Sequence, residues 1–141
     1  MNTTNHVIDC DNPFVPQCWP GGWSIMEHRN AGQLVWNPLK VGLLPADGKV
    51  SRFRERLRSK VLNGNVYHFL LANPHLIPSE WKGKMIVFWG TVYADCWSDG
   101  LVASIDYREG SPKGLFSTFH EMYVGALERE RSYTYGAVWL G

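Results

Sequence analysis

Between Met85 and Tyr93 nearly every position is apolar, β-branched or aromatic, and polar residues return only at Asp95 and in the Trp97-Ser98-Asp99-Gly100 turn. A run this short, closed by turn residues, reads as a central strand buried on both faces rather than as a helix. After the turn, Leu101, Ala103, Ile105 and Tyr107 alternate with Val102, Ser104, Asp106 and Arg108. That is a half-buried strand, antiparallel to the first because the connection is short. Near the C-terminus Tyr133, Tyr135, Ala137 and Trp139 alternate with Ser132, Thr134, Gly136 and Val138, which predicts a closing strand with an aromatic face. On the N-terminal side, Val7 to Cys10 predicts an edge strand. Trp23, Ile25 and the segment from Gln33 to Trp36 predict two strands joined through Arg29-Asn30-Ala31-Gly32, because Asn and Gly accept the positive φ of tight turns. Val41 to Leu44 suits one more short strand before Pro45 and the Asp47-Gly48 turn.

Three stretches carry a helical period instead. Phe53, Leu57 and Val61 fall four apart among Arg, Glu and Lys, with Ser51 as the N-cap, an amphipathic helix of about two to three turns. A second helix runs from about Asn65 to Asn73, burying Val66, Phe69, Leu70 and Tyr67, and Pro74 stops it. Ser111-Pro112 then opens a third over 112–128, where Leu115, Phe116, Phe119, Met122, Tyr123, Ala126 and Leu127 recur at helical spacing. The expected fold is α+β: a single domain over residues 1–141, a mostly antiparallel sheet centred on 85–94, and two or three helices on one side.

Composition changes this picture little. At 141 residues the chain is long enough to bury a core without staples, and 45% hydrophobic with 19% charged residues marks a globular chain. The net charge of +1 gives no global attraction to nucleic acid or membranes, so any electrostatic argument is local. The three cysteines, Cys10, Cys18 and Cys96, form no Cys-x-x-Cys pair, which points away from a disulfide framework and toward a reducing cytoplasm. Met1 to His6 lacks the basic and apolar regions of a signal peptide, and no apolar run approaches the roughly 18 residues of a membrane span. A soluble cytoplasmic protein with no membrane partner is expected.

Two local features suggest binding. Arg52, Arg54, Arg56 and Arg58, flanked by Lys49 and Lys60 and opposed only by Glu55, could present cations to phosphates, although alternate positions on a helix point in different directions. The chain also holds 7 Trp, 6 Tyr and 6 Phe. Trp89, Thr91 and Tyr93 would share one strand face, and Tyr133, Tyr135 and Trp139 another, offering a stacking platform for bases or sugar rings if the rings are exposed. Catalytic signals are weaker. Asp9, Asp11, His6, Cys10 and Cys18 lie close together, but the cysteine spacing is loose for zinc and no metal site or cofactor is assigned. His6, His28, His68, His75 and His120 stand in no nucleophile signature such as Gly-x-Ser-x-Gly.

The segment from Val61 to Asp95, above all Glu80-Trp81-Lys82-Gly83-Lys84 with Phe88-Trp89-Gly90-Thr91, resembles a pattern in a family of short uncharacterised bacterial proteins. Residues 7–16 and 33–38 resemble parts of the same pattern, and beyond Leu101 the match fades. The resemblance implies no activity, ligand or fold. The expected function is therefore a small non-enzymatic binding or regulatory protein that contacts a protein or nucleic acid through the aromatic patch or the Arg-rich helix. The alternatives are a hydrolase-like or nucleic-acid-processing enzyme using His with Asp or Cys, and an oligomeric structural protein using the 112–128 helix.

Overall fold

A computed structural model describes residues 6–17, 21–45, 60–118 and 134–140. In chain order the elements are β1 (Val7–Asp9), β2 (Ser24–His28), β3 (Gln33–Val35), β4 (Val41–Pro45), α1 (Gly64–Ala72), β5 (Met85–Ala94), β6 (Leu101–Asp106), β7 (Lys113–Thr118) and β8 (Thr134–Trp139). The main sheet runs β4-β8-β5-β6-β7, with β2 also on β5, and β1 pairs with β3 in a small separate ladder. The architecture is α+β and sheet-dominated.

The apolar run at 85–94 is the axis of this sheet, as its pattern requires. Residues 86–93 are all buried, and α1 covers one face. On that face Ile86 and Phe88 of β5, Ala103 and Ile105 of β6 and Ala137 of β8 meet Val66, Tyr67 and Leu70 of the helix. The opposite face buries Val87, Trp89, Val102 and Val138 together with Val61. Helix α1 starts where Asn63 caps it and ends at Asn73, whose own side chain donates to the Phe69 carbonyl just before Pro74.

Several pairings differ from the sequence expectation. β2 and β3 form but do not pair with each other: β2 joins β5 and β3 joins β1, and the turn between them, with Asn30 at φ 61 and Gly32 at φ 110, hands the chain from one ladder to the other. β8 runs parallel to β5, although the remaining pairings are antiparallel. β6 is buried on both faces from Leu101 to Ile105 rather than half-buried.

The helix expected over 112–128 is corrected where the structure describes it, because 113–118 is strand β7, paired along its length with β6. The reason lies at Gly114, where an added Cβ would stand 2.2 Å from the Tyr67 hydroxyl and 2.5 Å from Leu71 Cδ1. A flat strand with a glycine there lets α1 approach. Residues 119–128, and all but Lys60 and Val61 of the expected Phe53–Leu57–Val61 helix, lie outside the described residues. Val61 itself is a β-bridge partner of Val138. Among the described residues α1 is the one α-helix, and no helix is long and apolar enough to cross a membrane.

The feature that positions everything else is a gap in the pairing of β5. On one edge β8 pairs with residues 85–87 and β2 with residues 91–94. Between them the backbone at Leu62 and Asn63 crosses the strand at Gly90. The Gly90 amide donates to the Leu62 carbonyl at 3.0 Å, and the Gly90 carbonyl accepts from the Arg29 amide at 2.7 Å. A Cβ on Gly90 would lie 2.8 Å from Asn63 Cα and 2.9 Å from the Leu62 carbonyl oxygen, both backbone atoms that cannot swing aside. Gly90→Ala therefore lowers stability by about 2–3 kcal/mol, the usual cost of forcing a methyl into a packed interior. Urea unfolding measures it, and a loss of less than about 0.5 kcal/mol, the scale of an inert surface change, contradicts the crossing.

Candidate functional site

Asn63 is 1% exposed, and its side chain is engaged at both ends. Its Oδ1 accepts from the amides of Asn65 (3.0 Å) and Val66 (3.4 Å), which caps α1. Its Nδ2 donates to the carbonyls of Arg29 (3.1 Å) and Asn30 (3.2 Å), which holds the turn between β2 and β3 against the helix start. Asn30 returns the contact by donating to the Val61 carbonyl at 2.6 Å. Asn65 works the same way on the other side: its Nδ2 donates to the carbonyls of Asp9 and Asn12, and its Oδ1 accepts from the Phe14 amide at 2.7 Å. Two asparagines flanking Gly64 thus tie residues 9–14 and the turn between β2 and β3 to one helix N-terminus.

His28 completes the network. One ring nitrogen lies 2.7 Å from the Cys10 carbonyl, an oxygen that can only accept, so Nε2 carries the hydrogen. Nδ1 lies 2.9 Å from Thr91 Oγ1, which also accepts from the Gly64 amide at 2.8 Å. In the neutral ring Thr91 donates its hydroxyl to Nδ1, and every group in the chain is satisfied. Thr91 is 0% exposed and its hydroxyl also accepts from the Gly64 amide, so this hydroxyl–imidazole pair is closed to solvent and ties β2 and β5 to the helix start.

Beside this network lies a cleft of about 440 Å³, lined by β3 and the turn before it, the 60–63 crossing, Cys10, Val66 and Trp139. The end of β8 brings two cations to its mouth. The Trp139 amide donates to the Lys60 carbonyl and the Leu140 amide to the Lys40 carbonyl, each at 2.7 Å. Lys40 and Lys60 both line the cleft, with Asn30, Gln33, Asn37 and Asn63, and among the described residues no Asp or Glu does. Among the described residues neither lysine is in an ion pair. Cys10 sits at the inner end, 1% exposed. Burial pushes its thiol pKa up, the Asn63 amide beside it pulls the other way, and the carboxylates of Asp9 and Asp11 push it further up.

The residues singled out in the sequence fare unevenly. Trp89 and Tyr93 are each 0% exposed, so neither ring can stack on a ligand. They also lie on opposite faces: from Phe88 to Tyr93 the strand advances five positions while its β6 partner retreats only two, from Ala103 to Leu101, and this bulge switches the alternation. Tyr93 packs in the aromatic core, 5.5 Å from Phe116 and 6.1 Å from Trp23 between ring centroids, and burial pushes its phenol pKa well up. Tyr135 is half-buried, with Lys84 Nζ 5.8 Å from its ring centroid. Arg52, Arg54, Arg56, Arg58 and Tyr133 lie outside the described residues, as do Cys18 and His120.

Among the described histidines, His6 and His68 pack against Phe69 and Phe14, and none hydrogen-bonds a carboxylate or a thiol. The described residues hold no group of three or more His, Cys, Asp or Glu placed to bind a metal. What the sequence reading missed is Asn63-Gly64-Asn65. A capping asparagine two residues ahead of the predicted helix was visible there, but its long-range donors were not. No family model matches the chain, and no solved structure matches it.

Asn63→Ala removes the cap and leaves the carbonyls of Arg29 and Asn30 without their donor, a loss of about 3 kcal/mol from one capping contact and two unmade buried bonds. Thermal and urea unfolding measure this, and a change below about 1 kcal/mol contradicts the hub, since one cap alone accounts for that much. Cys10 makes a separate pH statement. A thiol whose folded pKa is raised contributes stability below its unfolded value, and that contribution is lost as pH rises from the ordinary 9.0 toward the folded value. Between about pH 8 and 10, where a free thiol ionises, Cys10→Ala accordingly loses less stability than the parent chain. Equal slopes in pH-dependent urea melts contradict the buried, protonated thiol.

Proposed function

We propose that the chain is a non-enzymatic binding protein and that it binds an anion in the cleft at Lys40, Lys60 and Trp139. One observation carries this reading: a cleft within the size range of small-molecule sites has two lysines and four amide residues in its lining and, among the described residues, no acidic one. The floor is preformed, because Asn63 and Asn30 are already fixed by bonds to backbone, so little ordering is required when a ligand arrives. The anion is either a free small molecule or an exposed group of a macromolecule such as nucleic acid, and the Arg52, Arg54, Arg56 and Arg58 run, shortly before Lys60 in sequence, favours the second where it adds to the contact. The segments that resemble the short bacterial proteins, 7–16, 33–38 and 61–95, include most of the hub and much of the cleft lining, so we propose that such proteins share this scaffold.

Thermal-shift measurements with inorganic phosphate, nucleotides and short single-stranded DNA and RNA test the reading, since a ligand that favours the native state raises the melting temperature. The expected result is a saturable, salt-sensitive rise with at least one anion, weakened about tenfold or more in apparent Kd by Lys40→Glu with Lys60→Glu, the equivalent of about 1.4 kcal/mol. A rise that survives this pair but disappears in Arg54→Glu with Arg58→Glu moves the site to the Arg-rich segment. No rise with any anion overturns the proposal.

A further inference from the structure

The cleft is polarised along its depth. Its inner end is formed by Cys10, Leu62, Asn63 and Val66, each 3% exposed or less, whereas Lys40 and Lys60 are exposed and Asn37 and Trp139 half-buried at the mouth. The polar groups of the inner end are committed. Asn63 spends its amide on the helix cap and two carbonyls, Asn30 holds the Val61 carbonyl, and the Cys10 amide donates to the Gly32 carbonyl at 2.7 Å. An acid group pushed to that depth loses its water among side chains whose polar atoms are already bonded, a penalty that disfavours it. An apolar group placed there meets Leu62, Val66 and an uncharged thiol.

The mouth has the opposite character. Lys40 and Lys60 are anchored on either side of the end of β8, through Leu140 and Trp139. Neighbouring strands lie about 4.8 Å apart, so the two lysine backbones flank the end of β8 roughly 10 Å apart. Trp139 lies between them.

Resting on the anion-binding reading above, we infer that the ligand is an amphipathic organic anion that enters apolar end first, seats an aryl or alkyl body against Leu62, Val66 and Cys10, and leaves its phosphate or carboxylate between Lys40 and Lys60. The shared chemistry is one acid head on one apolar body. A free metabolite and the end group of a modified macromolecule both satisfy it.

Titration calorimetry on the full chain tests this with two series of fixed head group: inorganic phosphate, methyl phosphate and phenyl phosphate, and acetate against octanoate, with benzyl alcohol as the uncharged control. The expected result is that phenyl phosphate binds at least about tenfold more tightly than inorganic phosphate, the gain from burying most of a phenyl ring. Octanoate similarly exceeds acetate, and the preferred series identifies the head. Val66→Leu, which narrows the inner end, is expected to remove the phenyl gain. The ligand series on the parent chain decides the matter even if that variant fails to fold.

Equal affinities for inorganic and phenyl phosphate overturn the inference and leave the anion-binding reading standing. Benzyl alcohol binding as tightly as phenyl phosphate overturns the place of the acid at the lysines. Absence of binding by every anion overturns both.

Discussion

The structure depends on one backbone crossing, that of Leu62 and Asn63 over Gly90. A central strand ordinarily gives each edge to a single neighbour, yet β5 shares one edge among β8, the 62–63 crossing and β2. Each of these partners comes from a different part of the chain. The Gly90 amide and carbonyl keep the hydrogen-bond ladder continuous through the junction, so no buried backbone group on that edge of Gly90 is left without a partner. Only a residue without Cβ leaves room for this, because the crossing chain comes within 3 Å of where a methyl would sit.

Asn63 converts that crossing into a fixed geometry. A side chain 1% exposed with two donors and two accepted amides is costly if any partner is absent and stabilising only when all are present. Such a group selects one arrangement of the β2–β3 turn, the helix start and the sheet edge. A hydrophobic residue of the same volume would bury as well but would hold none of these segments in register. The His28–Thr91–Gly64 chain and Asn65 repeat the logic a few ångströms away, so α1 is tied at its first turn to β1, β2 and β5.

The parts of this arrangement that the sequence makes legible are those set by local pattern. The strands at 85–94, 101–106 and 134–139, the Asn30 and Gly32 turn and the helix stopped by Pro74 all follow from period and turn chemistry. What escapes is set by contacts between distant segments. Leu115, Phe116 and their helical spacing favour a helix locally, but 113–118 pairs along its length with β6, and α1 packs close over Gly114. Alternation places Trp89 and Tyr93 on one face, but the bulge opposite β6 switches it and buries both. The cleft is invisible to any local pattern, because Lys40 and Lys60 are twenty residues apart and meet only through the end of β8.

For the proposed complex, magnitudes decide which part of the cleft carries the affinity. Two exposed ammonium groups about 10 Å apart or more in water repel by no more than about 0.4 kcal/mol, so cations on backbones spaced like those of Lys40 and Lys60 cost little to hold. For the same reason its attraction is limited: exposed ion pairs contribute about 0–1 kcal/mol each, and two of them fall far short of the roughly 8 kcal/mol of a micromolar complex. The lysines therefore set the sign of the charge that is accepted and the speed of encounter, as rim charges do. The remaining free energy has to come from the buried end, where Leu62, Val66 and Cys10 already exclude water and the Asn63 hub keeps the walls from collapsing. A site built this way selects by charge at its mouth and gains affinity from apolar area at its floor.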